Sequence, residues 1–142
     1  MSLYILDTDH FTLYRYEHET VTRRVEAVPA DQLAITIVTI EEQLTGWYTQ
    51  IRKARNAEKL TRAYAGLFQV TEAIRRTQVL PFTAEAVARY LELRKKLPRV
   101  GKLDLAIAAI VLEMKGTVVT RNRSDFNQVP NLQIADWTIP AP

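Results

Sequence analysis

The chain has 142 residues, of which 47% are hydrophobic and 25% are charged, and its formal net charge is +3. This size and composition fit one compact domain with its own core, so we predict a single domain over residues 1–142. Because cysteine is absent, the sequence excludes disulfides, thiolate metal sites and thiol nucleophiles.

The N-terminal segment predicts a buried strand. The predicted strand covers residues 3–7, because residues 3–6 are apolar without alternation, as expected when both faces of a parallel sheet are covered. The first residues lack the basic region of a signal peptide, and the longest uncharged apolar run, LAIAAIVL, is too short to span a bilayer. We therefore expect a cytoplasmic protein without membrane contact.

The rest of the chain alternates between helical and strand patterns. The first helix begins near Thr8 or Asp9, and the stretch LAITIVTI (33–40) predicts a second strand because it is rich in β-branched residues. The further predicted elements are a helix with Val21, Val25 and Val28, helices containing residues 44–51 and 57–76, the strand QVLPF, a helix from Thr83 to before Pro98, a helix over about 103–115, the strand TVVT (117–120) and a last strand within LQIADW.

This alternation predicts an α/β fold of three layers, in which a short parallel sheet is flanked by helices on both faces. In such sheets, ligands bind beyond the carboxyl ends of the strands. Residues that follow the predicted strands are therefore the first candidates for a site.

Acidic and amide side chains gather at that edge. Crowded carboxylates raise one another's pKa unless a cation neutralises them, and Mg²⁺ or Mn²⁺ is their natural counterion. Such an ion activates water and stabilises charge on a phosphodiester. The residues are Asp7 and Asp9 after the first strand, Glu41 and Glu42 after the second, Asn122 and Asp125 after TVVT, and Asp104 in the first turn of the helix 103–115.

Taken singly, most of these acids also fit a structural role. Asp9 suits the N-cap of the first helix, and the acids of the later helices suit the positive ends of their helix dipoles. Asp7 is harder to explain in this way, because an acid that ends a buried strand is costly to desolvate without a partner. Their shared location is what favours a site.

Other hydrolytic chemistry lacks its residues. His10 and His18 both lie in the first fifth of the chain, and we expect a lone histidine on a helix to be a polar surface residue. Neither Ser2 nor Ser124 lies in a G-x-S-x-G turn.

Four separated segments resemble PIN-domain ribonucleases of the VapC toxin type, over nearly the whole chain. The segments are YILDTDH, similar to the family's opening D-T-N or D-T-D motif; TIEEQLTGW, similar to a stretch in which an acid precedes a glycine by four residues; VGKLDLAIAAIV, similar to its G-x-x-D-x-x-I-A-A helix; and VVTRNRSDFNQVPNLQIADW, similar to its closing T-x-N-x-x-D-F segment.

The resemblance implies Mg²⁺-dependent endonucleolytic cleavage of RNA, including structured RNA such as tRNA, with Mn²⁺ as a substitute ion. It also implies a homodimer that is neutralised by a small antitoxin protein. It assigns Asp7 and Asp104 to the metal, adds Glu42 and Asp125 as catalytic acids, and makes Asp9, Thr120 and Asn122 supporting residues.

Two of these assignments carry alternatives. The glycine spacing selects Glu42, although a helical wheel places Glu41 nearer the apolar stripe of its helix. For the fourth position we expect Asp125 to be the acid and Asn122 its hydrogen-bonding partner, because Asn122 cannot ionise. Asp9 stands where many members of the family have asparagine, which adds negative charge near the metal.

Basic residues flank two of the motifs. Arg99 and Lys102 precede the helix of Asp104, and Arg121 and Arg123 flank the asparagine of the closing segment. They are candidates to hold RNA phosphates, and the alternative is an ordinary solvated surface.

Two other functions fit part of the sequence. A haloacid-dehalogenase-like phosphatase would use Asp7 as nucleophile and Asp9 as general acid, and TVVT resembles its second motif. The acidic pair that such enzymes need later in the chain is missing, because only Asp125 and Asp136 follow Thr120. The other alternative is a non-catalytic RNA- or protein-binding module of PIN-like fold.

Overall fold

The computed structural model of the protein describes residues 2–142, in which short strands alternate with helices. The elements in chain order are β1 (Tyr4–Leu6), α1 (Thr8–Arg15), α2 (Glu19–Glu26), a 3₁₀ turn (Ala30–Gln32), β2 (Leu33–Thr36), α3 (Ile37–Lys53), α4 (Ala57–Arg75), β3 (Val79–Leu80), α5 (Ala84–Lys96), α6 (Lys102–Glu113), β4 (Thr117–Val119), α7 (Arg123–Phe126) and β5 (Gln133–Ala135).

The five strands form one parallel sheet in the order β3-β2-β1-β4-β5. Tyr4 of the central strand pairs with Leu33 on one side and with Thr117 on the other. The chain builds outward from β1 to β3 and then returns to add β4 and β5 on the opposite side. The strand order therefore reverses between β1 and β4, which is where open α/β sheets bind ligands.

Alternating side chains of the strands belong to two separate hydrophobic cores, one on each face of the sheet. Ile5 and Val118 pack with α5 and α6 on one face, whereas Leu6 and Val119 pack with α1 and α2 on the other. Every residue from Leu105 to Val111 in α6 is buried. The predicted three-layer α/β/α fold is confirmed, and across residues 2–142 none of the helices is both long and apolar enough to cross a membrane.

The second strand is shorter than predicted. The pattern of LAITIVTI predicts a strand over 33–40, but β2 ends at Thr36 and the rest of the stretch is the first turn of α3. The hydroxyl of Thr36 accepts a hydrogen bond from the backbone N–H of Thr39 at 3.2 Å and so caps the helix. The cap overrides the β-branched composition, and Glu42 lies in the second turn of α3 instead of the first.

Helices α3 and α4 form a hairpin and pack against each other at a glycine. Gly66 of α4 lies directly under the indole of Trp47 of α3, where an added Cβ would overlap the ring. Gly46, which is also inside a helix, has nothing within 4 Å of the same position. Substitutions at the two glycines therefore distinguish the effect of packing against Trp47 from the ordinary conformational cost of glycine in a helix.

We expect Gly66→Ala to destabilise the protein by about 1–3 kcal/mol, because the methyl group overpacks the contact with Trp47. Gly46→Ala is the matched control and should stabilise by about 0.5–1 kcal/mol, the usual gain from alanine in a helix. Urea unfolding followed by circular dichroism measures both changes. Equal effects of the two substitutions would show that the hairpin does not depend on this contact.

Candidate active site

Asp7 stands at the end of the central strand and begins the first helix. Its side chain is buried, and its Oδ1 accepts a hydrogen bond from the backbone N–H of His10 at 2.7 Å, which makes Asp7 the N-cap of α1. The interpretation of Asp9 as the cap is therefore wrong, because Asp9 lies inside the helix. The hydrogen bond from the backbone N–H of His10 holds the side chain of Asp7 at the point where the strand order reverses.

Asp104 and Asp125 are joined through one amide. Nδ2 of Asn122 donates to Oδ2 of Asp104 at 3.1 Å and to Oδ2 of Asp125 at 3.2 Å. The backbone N–H of Asn122 in turn donates to the hydroxyl of Thr120, which is buried directly after β4. The closing segment thus brings Asp125 and the first turn of α6 together.

Glu42 reaches the same edge from α3. Its Oε1 accepts a hydrogen bond from the hydroxyl of Thr8, and that hydroxyl lies 3.0 Å from the hydroxyl of Thr39. Glu42 is half-buried, whereas Glu41 is exposed. Of Glu41 and Glu42, it is therefore Glu42 that contacts Thr8, the residue directly after Asp7 in the chain.

Two of these acids, Asp104 and Glu42, have raised pKa values. Burial raises the pKa of Asp104 to about 6, and the charges of Asp7, Glu42 and Asp125 add to it, while the hydrogen bond from Asn122 opposes the rise. The pKa of Glu42 is also raised, first by burial and then by neighbouring carboxylates, against the hydrogen bond from Thr8. Four acids from four separated segments therefore share one electrostatic environment.

The donor chemistry of these four acids suits a hard divalent cation. Among residues 2–142, the acidic and histidine side chains whose ligand atoms all lie within 4.8 Å of one another are Asp7, Asp9 and His10. The four acids offer only carboxylate oxygens, the ligands that Mg²⁺ and Mn²⁺ prefer. Their hydrogen-bond donors, Thr8 and Asn122, are neutral, so they orient the acids without compensating their charge. A cation at this position would relieve the repulsion that adds to the effect of burial on the pKa of Asp104.

The family comparison covers the same residues. The family model described as PIN domain matches residues 4–132, which include Asp7, Glu42, Asp104 and Asp125. The chain belongs to the PIN domain family. This membership replaces the haloacid-dehalogenase-like alternative.

Curated relatives of this PIN domain match it over nearly their full length. It is 26% identical over 141 residues to Ribonuclease VapC2 of Rickettsia felis, a match covering 95% of this chain and 98% of that relative. It is 27% identical over 142 residues to Ribonuclease VapC1 of Haemophilus influenzae strain R2866, covering 96% and 98% respectively.

Solved structures share the fold of this PIN domain. The structure of DNA-bound VapBC from Salmonella typhimurium matches with a TM-score of 0.78 at 25% identity and covers 96% of this chain and 99% of that chain. VapBC2 from Rickettsia felis, bound to a DNA fragment from its promoter, matches with a TM-score of 0.76 at 23% identity, covering 95% and 98%. These matches agree with the predicted PIN-like three-layer architecture.

The predicted basic residues differ in what they contact. Arg121 binds Asp9 through two hydrogen bonds, Nε to Oδ2 at 2.7 Å and a terminal nitrogen to Oδ1 at 3.1 Å. Arg99, Lys102 and Arg123 have exposed side chains. Asp9 is therefore engaged by an arginine of the closing segment, and a phosphate would compete with it for Arg121.

Two residues beside Asp7 escaped the sequence reasoning. His10 is fully buried, so its prediction as a surface residue is wrong, and Thr8 holds Glu42. His10 accepts a hydrogen bond from the backbone N–H of Trp137, which is 127 residues away in the chain, so local sequence carries no signal for this contact. Thr8 had a signal, because it stands between the two acids of the D-T-D motif.

The raised pKa of Asp104 predicts a pH-dependent stability of the metal-free protein. The folded value of about 6 exceeds the ordinary 3.8, so the folded state favours the protonated acid. Its stabilising contribution is complete below the ordinary value and is lost as the pH rises through the folded value. Asparagine stays neutral, so Asp104→Asn should raise Tm relative to wild type near pH 7 and hardly change it near pH 4.

After allowing for solvent at this half-buried side chain, we expect a difference of about 1 kcal/mol near pH 7, or about 3 °C in Tm. Calorimetry in the presence of a chelator measures it. Asp31→Asn is the control, because Asp31 is exposed in the 3₁₀ turn and away from the acids. An Asp104→Asn effect of the same size at both pH values would contradict the prediction.

Proposed function

We propose that this PIN domain is a Mg²⁺-dependent endoribonuclease that acts as the toxin of a toxin–antitoxin pair. The observation that carries the proposal is the convergence of carboxylates from four separated segments at the switch point of the sheet. The curated relatives bear the name Ribonuclease VapC, and their matches extend over nearly the whole chain, which supports RNA as the substrate class.

In this proposal Asp7 and Asp104 hold Mg²⁺, with Mn²⁺ as a substitute, and Glu42 and Asp125 complete the acidic set. When bound, the ion supplies an activated water and charge stabilisation on the phosphodiester. The chain itself orients the acidic side chains. Asn122 holds two of the acids with one amide, so their oxygens are positioned before substrate arrives.

Phosphate binding falls to the exposed basic residues around the acids. Arg99 precedes α6, Lys102 is the first residue of α6 in the turn that carries Asp104, and Arg123 begins α7. Their positive charge offsets the repulsion between a polyanion and the acidic cluster. Arg121 joins them when a phosphate displaces Asp9 from its guanidinium.

Similar proteins also support a protein partner for this activity. Several of the similar solved structures are of VapBC, a family of toxin–antitoxin systems, which supports a small antitoxin protein as a partner. We propose that the chain acts in the cytoplasm as a homodimer. Structured RNA such as tRNA is the substrate that we assign first.

Asp104→Asn and Glu42→Gln should each abolish metal-dependent cleavage of RNA while the fold persists. The ion contributes several kcal/mol of charge stabilisation, so losing it lowers the rate by about 100-fold or more. Cleavage of a labelled tRNA pool in Mg²⁺ measures the rate, and sequencing of the new RNA ends locates the cut.

Glu41→Gln is the matched control, because Glu41 is the exposed neighbour of Glu42 and carries the same charge. It should leave the rate within about threefold of wild type, since a charge on the solvent side contributes little. Cleavage at the wild-type rate by both Asp104→Asn and Glu42→Gln would refute the site assignment. Cleavage without any added divalent ion would refute the metal dependence.

The double variant Arg99→Ala, Lys102→Ala should weaken RNA binding and flatten its salt dependence. Each phosphate contact that is lost lowers the slope of log affinity against log salt by about 0.7–0.9. Filter binding of Asp104→Asn protein, which does not cut the RNA, measures the slope. Replacing Arg62 and Lys95, exposed cations on α4 and α5, is the control, and an unchanged slope for the double variant would place RNA elsewhere.

A further inference from the structure

The turn that joins α3 to α4 carries a concentration of positive charge. Residues 52–62 contain five basic residues and one acidic residue, a net charge of +4, whereas the formal net charge of the whole chain is +3. Residues 94–102 are the other such segment, and Arg99 and Lys102 within it already have a role in the proposed function. The basic residues of 52–62, which have no such role, are Arg52, Lys53, Arg55, Lys59 and Arg62.

Helix dipoles account for only part of this charge. Arg52 and Lys53 lie in the last turn of α3, where a cation is favourable. Lys59 lies in the first turn of α4, where the positive end of the helix dipole disfavours a cation. The stability of α4 therefore does not explain the position of Lys59.

The ammonium groups of Lys53 and Lys59 are free to bind an anion. Across residues 2–142, they form neither an ion pair nor a hydrogen bond, and both side chains are exposed. Arg62 differs, because a terminal nitrogen of its guanidinium lies 3.0 Å from Oε1 of Glu58, which compensates its charge. Like charges on one surface repel each other, and an anion between them relieves the repulsion.

Lys53 and Lys59 line the same cavity between the two helices. Its volume is about 570 Å³, and the polar and aromatic residues around it are Trp47, Gln50, Lys53, Lys59 and Arg62. Part of the indole of Trp47 packs over Gly66 of α4, and the ring is half-buried. Ammonium groups bind phosphate oxygens, and an aromatic ring and an amide suit a base. The cavity therefore combines the kinds of contact that proteins make with a nucleotide.

The cavity lies on the helix that also carries Glu42. Lys53 follows Glu42 by eleven positions in α3, which corresponds to about 16 Å along the helix axis. A stacked nucleic-acid strand advances about 3.4 Å per nucleotide, so this span equals roughly five nucleotides. An RNA of tRNA size at the acids is long enough to reach the cavity. A six-nucleotide RNA centred on the scissile bond is too short.

We propose that this cavity is a second RNA-binding site, in which Lys53 and Lys59 hold a backbone phosphate roughly five nucleotides from the scissile bond. The inference rests on the proposed ribonuclease function, which supplies RNA as the polyanion. Trp47 and Gln50 contact the nucleotide that carries this phosphate. The site adds affinity for long or structured RNA and takes no part in the reaction at the acids.

The double variant Lys53→Ala, Lys59→Ala tests the site through binding alone. Filter binding of a labelled tRNA pool in the presence of a chelator measures affinity at several salt concentrations. We expect the variant to bind about fivefold more weakly at about 0.1 M salt. The slope of log affinity against log salt should fall by about 0.7–0.9, the value for one lost phosphate contact.

A short RNA separates this site from the acids. A six-nucleotide RNA centred on the cut should bind to wild type and to Lys53→Ala, Lys59→Ala equally, as measured by fluorescence anisotropy, because it does not reach the cavity. Equal weakening for the short RNA and for tRNA would place the two lysines at the scissile bond and would overturn the second site.

Two further pairs of substitutions serve as controls. Lys53→Arg, Lys59→Arg keeps both charges and should bind tRNA within about twofold of wild type, because a guanidinium also binds phosphate. Arg75→Ala, Arg76→Ala removes two exposed cations at the other end of α4 and should leave the salt slope unchanged. Equal weakening by this second pair would show a general effect of net charge and would overturn the site.

The outcomes distinguish this site from the proposed function. Wild-type binding of tRNA with unchanged affinity and slope for Lys53→Ala, Lys59→Ala would overturn the second site alone and leave the cavity to another partner, such as an acidic protein segment. Wild-type protein that does not bind tRNA would overturn the site together with RNA as the substrate class. Weakened binding by the variant would support the site even if wild-type protein in Mg²⁺ did not cut the RNA.

Discussion

Repulsion among carboxylates at the carboxyl end of the sheet is the constraint around which this protein is built. Burial and the neighbouring acids raise the pKa of Asp104 to about 6. The groups that hold the acids are neutral: the backbone N–H of His10, the hydroxyl of Thr8 and the amide of Asn122. Neutral donors fix orientation and leave the charge in place, which is what a site for a divalent cation requires.

The short strands serve that arrangement. β1 and β4 are covered on both faces, so the polar residues that follow them emerge together where the strand order reverses. The buried helix α6 brings the third acid to this point, and the capped start of α3 brings the second. The helices α3 and α6 therefore contribute to the core and also bring single acidic side chains to one edge of the sheet.

Contacts of two further residues, Asp9 and His10, lie next to the acidic cluster. Asp9 adds a carboxylate where many PIN ribonucleases have asparagine, and Arg121 compensates it through two hydrogen bonds. The backbone N–H of His10 donates to Asp7, and Nε2 of the buried His10 ring accepts a hydrogen bond from the backbone N–H of Trp137. The segment after the last strand thus contacts the first helix beside Asp7, which brings the two ends of the chain together near the site.

Patterns of neighbouring residues were enough to predict the parallel sheet, the order of helices and strands, and the candidate acids from Asp7 to Asp125. They misplaced the end of β2, because the capping hydroxyl of Thr36 outweighed a β-branched stretch. These local patterns could not predict the burial of His10 or the pairing of Asp9 with Arg121. Periodicity is a local property of the chain, whereas these contacts join residues more than a hundred positions apart and exist only once the sheet has assembled.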